Sequence, residues 1–412
     1  MAVRVAHLSV DFERGRMGRT GIFALVSMAT WFVVERALVG AGVGRFPRAF
    51  AIAIAAVAAS PFVGIRPMQF GMLLLAITAA VAMRHRRSES RLIWLLPLVF
   101  LAWANVHGSF PIGFGMLALL GLDWLCWRFN LPSPQNECRM RVVHLAPVAL
   151  ISAALIAINP SGPALWAHPF WQLTTPGREF NSDWNPPATF TATWWFCVIF
   201  LIGVMVALMW GRFRIPPASA AAVIVLLLLA YSARKTIPFS SLAVVVLLSG
   251  SLVRIPAMNR RLPSVPGLLL AASVLAIPIG VGAWLAPKSL EGPSVVPMPY
   301  GAREYIAGVL PGRVWNTYHW GGFLTWALWP KTKVHIDGRY DPFVSGALET
   351  YLHVDGLRPG WEEVLASAEP DAIAVRSQSA LALALRSDSN WVVVYEDAVA
   401  AVFVDAGGGL AH

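Results

Sequence analysis

The sequence predicts an α-helical polytopic membrane protein of about ten spans, followed by a small α/β soluble domain. Three observations carry that reading. The 412 residues are 57% hydrophobic, with a mean hydropathy of +0.61. Only 13% are charged, about half the share of an ordinary soluble domain. The net charge of +10 is also unevenly divided: residues 1–288 carry 24 Lys and Arg against 8 Asp and Glu, whereas residues 289–412 carry 8 against 14. This composition excludes a soluble single domain, and it excludes disorder, which needs low hydrophobicity. The basic balance invites a nucleic-acid partner. However, the arginines sit in short gaps between apolar runs, which is the pattern of membrane topology and not of a phosphate-binding face. The expected partner is therefore the lipid bilayer, with no nucleic acid.

Apolar runs that approach the ~17–25 residues needed to cross ~30 Å of hydrocarbon fall at 20–39, 47–65, 69–84, 91–106, 109–127, 143–159, 193–210, 218–233, 237–253 and 266–286. Four gaps are basic: Arg84, Arg86, Arg87 and Arg91; Arg128, Arg139 and Arg141; Arg212 and Arg214; and Arg254, Arg260 and Arg261. They alternate with gaps almost free of Lys and Arg, so the positive-inside rule assigns them to the cytoplasm. Segments 105–109, 160–192, 234–236 and everything after about 287 then lie outside. The expected division is a transmembrane domain over 1–287 and an extracytoplasmic α/β domain over 288–412. Counting back places the N-terminus outside despite Arg4, Arg14, Arg16 and Arg19. Either the first helix does not span, or a helix upstream is missing. Cys126, Cys138 and Cys197 match no metal or disulfide pattern.

From 288 on, short β-branched runs such as 392–395 and 401–404 alternate with helical patterns. The expected order is helix 301–310, strand 313–317, helix 320–328, strand 332–336, helix 344–352, helix 360–368, strand 371–376, helix 378–386, and strands 391–396 and 399–404.

Polar groups near the outer helix ends are the candidates for chemistry, because burying them in hydrocarbon is costly. Asn105, His107 and Ser109 lie in a turn between two helices, either as hairpin caps or as substrate contacts. Glu179 and Asp183, spaced i and i+4, are the only carboxylates of the long outer loop 160–192. A base that deprotonates an acceptor hydroxyl, or the ligand of a divalent cation, would be one of them; otherwise the loop lies on the bilayer with solvated acids. Arg234 and Lys235 are adjacent cations on the side that should lack them. They suit a phosphate, or they snorkel to the interface. Arg66 is a weaker candidate of the same kind. In the C-terminal domain, His319 and Trp320 precede Gly321-Gly322 at a helix start, and strand 332–336 delivers Asp337, Gly338 and Arg339 at its end. Loops at strand C-termini are common ligand positions; the alternative is a structural corner. No metal site or cofactor motif is recognisable. Nucleophile motifs, P-loops, dinucleotide fingerprints and HExxH are absent from the sequence.

The blocks RPMQF (66–70), IWLLPLVFLAWANVHGSFPIG (93–113), INPSGPALWAHPF (158–170), REFNSDWNPP (178–187), SARKTIPFSSLAVV (232–245) and VWNTYHWGGFLTWALWPKTKVHIDGRYD (314–341), in this order, resemble a group of bacterial polytopic membrane proteins. That group is distantly similar to the C-type (GT-C) glycosyltransferases, which include protein-mannosyl and aminoarabinose transferases. The resemblance runs over roughly 47–405. It implies a multi-pass protein of the bacterial inner (plasma) membrane and a polyprenyl-phosphate-linked sugar as donor, with an acceptor presented from the outer face. It also implies an acidic residue in a first outer loop, which residues 1–50 do not supply; this fits a chain truncated at its N-terminus. The expected function is sugar transfer from a polyprenyl-phosphate donor, or a degenerate form of it. The alternative is a non-enzymatic, membrane-anchored sensor or assembly protein with a ligand-binding C-terminal domain. A transporter is disfavoured by the lack of an inverted repeat and by few ionisable groups mid-span, Asp123 being the exception.

Overall fold

Each apolar run between 20 and 253 is helical, and prolines and polar breaks set where the helices stop. The structure is a computed structural model that describes residues 2–64, 66–129, 142–170, 182–210, 216–253, 297–309, 312–338 and 346–407. The helical part contains α1 (Ala2–Gly40), α2 (Arg45–Ala59), α3 (Met68–Ser88), α4 (Leu96–Val106), α5 (Phe110–Arg128), α6 (Leu145–Ile156), α7 (Ala192–Trp210), α8 (Pro217–Ser232), α9 (Ile237–Leu247) and α10 (Ser249–Leu252). Pro61 ends the α2 run in a 3-10 turn over Ser60–Phe62, because it has no N–H to continue an α-ladder. Pro97, Pro217 and Pro238 sit in the first turns of their helices, where a missing N–H costs nothing. His85, Arg86 and Arg87 occupy the last turn of α3, where cations complement the helix dipole.

Length supports one expectation in part. Among the described residues, three helices are long and apolar enough to cross a membrane: Gly21–Gly40, Met68–Ser88 and Ala192–Met209. Arg91–Val106, Phe110–Cys126, Leu145–Ile156 and Pro217–Ser232 are apolar but shorter. The run at 266–286 lies outside the described residues. Apolar composition extended further along the sequence than the helices do, because the runs include their proline and turn residues.

The chain divides into two compact units, one with the described helices from residue 13 to 253 and one with the described residues from 297 on. At the centre of the helical unit lies α9, every residue of which is buried. Met72, Leu75, Phe100, Trp103, Phe110 and Ile156 pack in the same core. Charge enters this core once among the described residues. Arg86 Nη1 meets Asp123 Oδ2 at 3.0 Å, and both side chains are under 10% exposed.

The second unit is built on a five-stranded sheet: β1 (Gly312–Asn316), β2 (Thr332–Val334), β3 (Ala372–Arg376), β4 (Trp391–Glu396) and β5 (Ala400–Asp405). The spatial order is β2-β1-β3-β5-β4. β1 runs parallel to β2 and β3, whereas β5 is antiparallel to β3 and β4, with an irregular register between Val393 and Tyr395. Alternating strand residues feed two faces. On one, Trp315, Ile373, Val375 and Phe403 pack with α13 (Ala347–Asp355), α14 (Trp361–Ser367) and α15 (Ala380–Ser387). On the other, Val314, Ala372, Ala374 and Val402 pack with α11 (Tyr300–Val309) and α12 (Gly321–Leu328). The expected C-terminal elements are all present within a few residues, β2 being the shortest.

Candidate functional site

Successive helices reverse direction, so the segments before α3, between α4 and α5, before α7, and between α8 and α9 meet at one end of the helical unit. The contacts there are direct. Arg66 Nη1 binds Asp183 Oδ2 at 3.2 Å, with both groups partly exposed. Lys235 Nζ stands 2.8 Å over the Trp184 ring, a cation–π contact. The Arg234 backbone N–H donates to the Asn185 carbonyl at 3.0 Å. Residues 183–185 therefore touch Arg66, Arg234 and Lys235, three of the cations singled out from the sequence. Ser27 Oγ donates to Gln69 Oε1 at 2.9 Å, which ties the Gly21 end of the first long helix to the same end of the unit.

His107 joins this group through α9. Its ring lies 5.8 Å from that of Phe239, and Nδ1 is 2.8 Å from Ser109 Oγ. The Ser109 hydroxyl in turn accepts from Trp103 Nε1 at 3.0 Å. Burial first, then the Lys235 charge, hold the His107 imidazole down to about 4, so it is neutral at physiological pH. Asn105 does something else. Its amide donates to the Leu101 and Ile158 carbonyls at 2.9 and 2.8 Å and closes the turn at the end of α6. Glu179 lies outside the described residues. The assembled set is thus Arg66, Asp183, Lys235 and His107, with Arg234 joined through its backbone: cations, one carboxylate and a neutral imidazole, which can hold an oxyanion and pass a proton.

The opposite end of the helices has a different chemistry. There Arg86 pairs with Asp123, the His85 and His144 rings are 6.0 Å apart, and Arg48 Nε meets Glu35 Oε1 at 3.1 Å.

In the sheet-bearing unit, the segments after β1 and β2 are neighbours, as the parallel pairing requires. Asn316 is fully buried. Its amide donates to the Ile336 carbonyl at 2.8 Å, and its Oδ1 accepts from the His335 N–H at 3.0 Å. Gly321 presses on the same segment: a Cβ there would lie 2.6 Å from Asp337 Cα. Asp337 is buried at 3% exposure, and its charge raises the Tyr318 phenol after burial does. Trp320 is also fully buried, and its indole donates to the Pro297 carbonyl at 2.9 Å, so its ring is committed inside the unit. His335 stacks on Trp315 at 4.0 Å, and burial pushes its imidazole down from the usual value. His319 is exposed at the rim, and Arg339 lies outside the described residues. Sequence reasoning did not single out Tyr351, Asp355 or Arg376, which reach the ends of the same strands. They come from α13 and β3, with no local pattern to mark them.

Among the described residues no group of three His, Cys, Asp or Glu could hold a metal ion. No family model matches the sequence, and no curated protein matches it.

Proposed function

We propose that the protein is a multi-pass membrane protein of about ten spans that transfers a sugar from a polyprenyl-phosphate donor to an acceptor on the outer face. The bilayer reading is supported by apolar side chains facing outward. Leu25, Met28, Phe32, Leu98, Leu150, Met209 and Leu228 are 61–71% exposed on their helices, a patchwork that water would penalise. Helices shorter than ~20 residues fit the bilayer by local thinning. Residues 288–412 would lie outside the cytoplasm.

The observation that carries the transfer reading is the gathering of Arg66, Arg234 and Lys235 around Asp183 and His107, at the end away from Arg84–Arg91. In the reaction, the acceptor hydroxyl oxygen bonds to the anomeric carbon and the carbon–oxygen bond to phosphate breaks. The electron pair leaves on the phosphate oxygen, where the cations stabilise it. The hydroxyl proton passes to a carboxylate, Asp183 or Glu179.

The test uses the full chain in nanodiscs, titrated with polyprenyl monophosphate, the leaving group. K235Q and R234Q should each weaken binding about tenfold or more, while D183N should keep it. Binding that is indifferent to both cation changes would overturn the reading and leave the non-enzymatic alternative.

A further inference from the structure

The sheet has a topological switch point that the donor-binding reading does not use. The chain leaves β1 through α12 to reach β2, on one edge of the sheet, and leaves β3 through α15 to reach β4, on the other edge. The connections from β1 and β3 therefore run apart, although the two strands are parallel neighbours. In open α/β sheets such a divergence leaves a crevice outside the strand carboxyl ends, and ligands bind there.

Thr317 and Ser377, the first residues past the two strands, are buried. The Thr317 N–H donates to the Ala374 carbonyl at 3.1 Å, which keeps the strand ends together. Above them the Tyr318 N–H donates to Tyr351 Oη at 3.3 Å. The Tyr318 ring lies 6.2 Å from that of Tyr351 and 5.5 Å from that of His319. Asp355 interacts with the Tyr351 hydroxyl and lies in the fields of Arg376 and His319. Asp355, Arg376 and His319 are all exposed. One aromatic ring, one carboxylate, a guanidinium and an imidazole thus gather past the ends of β1 and β3.

We propose that this crevice binds a neutral carbohydrate. The Tyr318 ring offers a surface for the apolar face of a pyranose. Asp355 accepts from sugar hydroxyls, and Arg376 and His319 donate to them. An anionic ligand fits less well. The charges of Asp355 and Asp337 act on Tyr351 and Tyr318. Gly321 opens no phosphate cradle, because it is packed against the Ile336–Asp337 backbone.

The test uses the full chain in nanodiscs with no lipid-linked sugar present, so it stands or falls apart from the donor-binding reading. Saturation-transfer NMR is recorded with chitotetraose and maltotetraose, and phosphorus NMR line broadening with inorganic phosphate. At least one oligosaccharide should bind at millimolar concentration. D355N and R376Q should each weaken it about five- to tenfold with the thermal midpoint unchanged. E369Q should leave it intact, because Glu369 pairs with Arg313 at the opposite ends of the strands. Binding of neither oligosaccharide, binding of phosphate alone, or equal losses in E369Q would overturn the proposal.

Discussion

His107 shows how one side chain reports its surroundings. The unfolded chain takes up a proton on this imidazole near 6.5, whereas the fold resists until about 4. The stability gained by keeping the ring neutral is therefore fully present above about pH 6.5. It is lost as pH falls towards 4, by about 3 kcal/mol at most. The thermal midpoint in detergent should decline across that window, and His107→Gln should flatten the decline; an equally steep profile in the variant would show that another group is responsible. The sequence made His107 conspicuous as a polar residue in a short turn. Its neutrality was not legible there, because it depends first on burial by packed helices and then on Lys235, which follows it by more than a hundred residues. Lys235 in turn rests on Trp184, again a contact between distant segments that no local spacing encodes.

At the scale of elements, the C-terminal unit was legible almost residue by residue. Its strands alternate and its helices carry their own period, so local pattern and tertiary structure agree. The helical unit was legible as helices but not in their lengths, since a hydropathy run does not stop where Pro61 or the Asn159-Pro160 pair stops the backbone. The Gly-Gly pair at the start of α12 was read as one feature, and the structure separates its members. Gly321 is where α12 touches the end of β2, and any Cβ would strike the Ile336–Asp337 backbone, whereas Gly322 has open space around it. Gly321→Ala should cost about 1–3 kcal/mol or more. Gly322→Ala should be neutral or stabilise by up to about 1 kcal/mol. Thermal unfolding of the two variants measures the difference, and equal effects would show that the close approach is not real.

For the whole molecule, the alternation of basic gaps and the single described end that collects Arg66, Asp183, His107 and Lys235 lead to one expected orientation. A reporter active only outside the cytoplasm, fused after His412, should be active. Activity of a cytoplasm-only reporter at the same position would reverse the topology and remove the basis for an outward-facing phosphate site. The switch-point residues Tyr351, Asp355 and Arg376 belong to this scale too, because only the strand order brings them beside Tyr318.

The irregular register in β4 has a consequence for crowding. β4 is the last strand on its side of the sheet, and Val392 and Val393 on it are 48% and 37% exposed. A straight outer strand with such side chains would be a template for a second copy. The slip between Val393 and Tyr395 adds local twist and breaks the even row of free amide and carbonyl groups. Neighbouring copies therefore meet an edge on which they cannot zip into a continuous ladder, and the unit keeps its apolar strand without becoming a seed for aggregation.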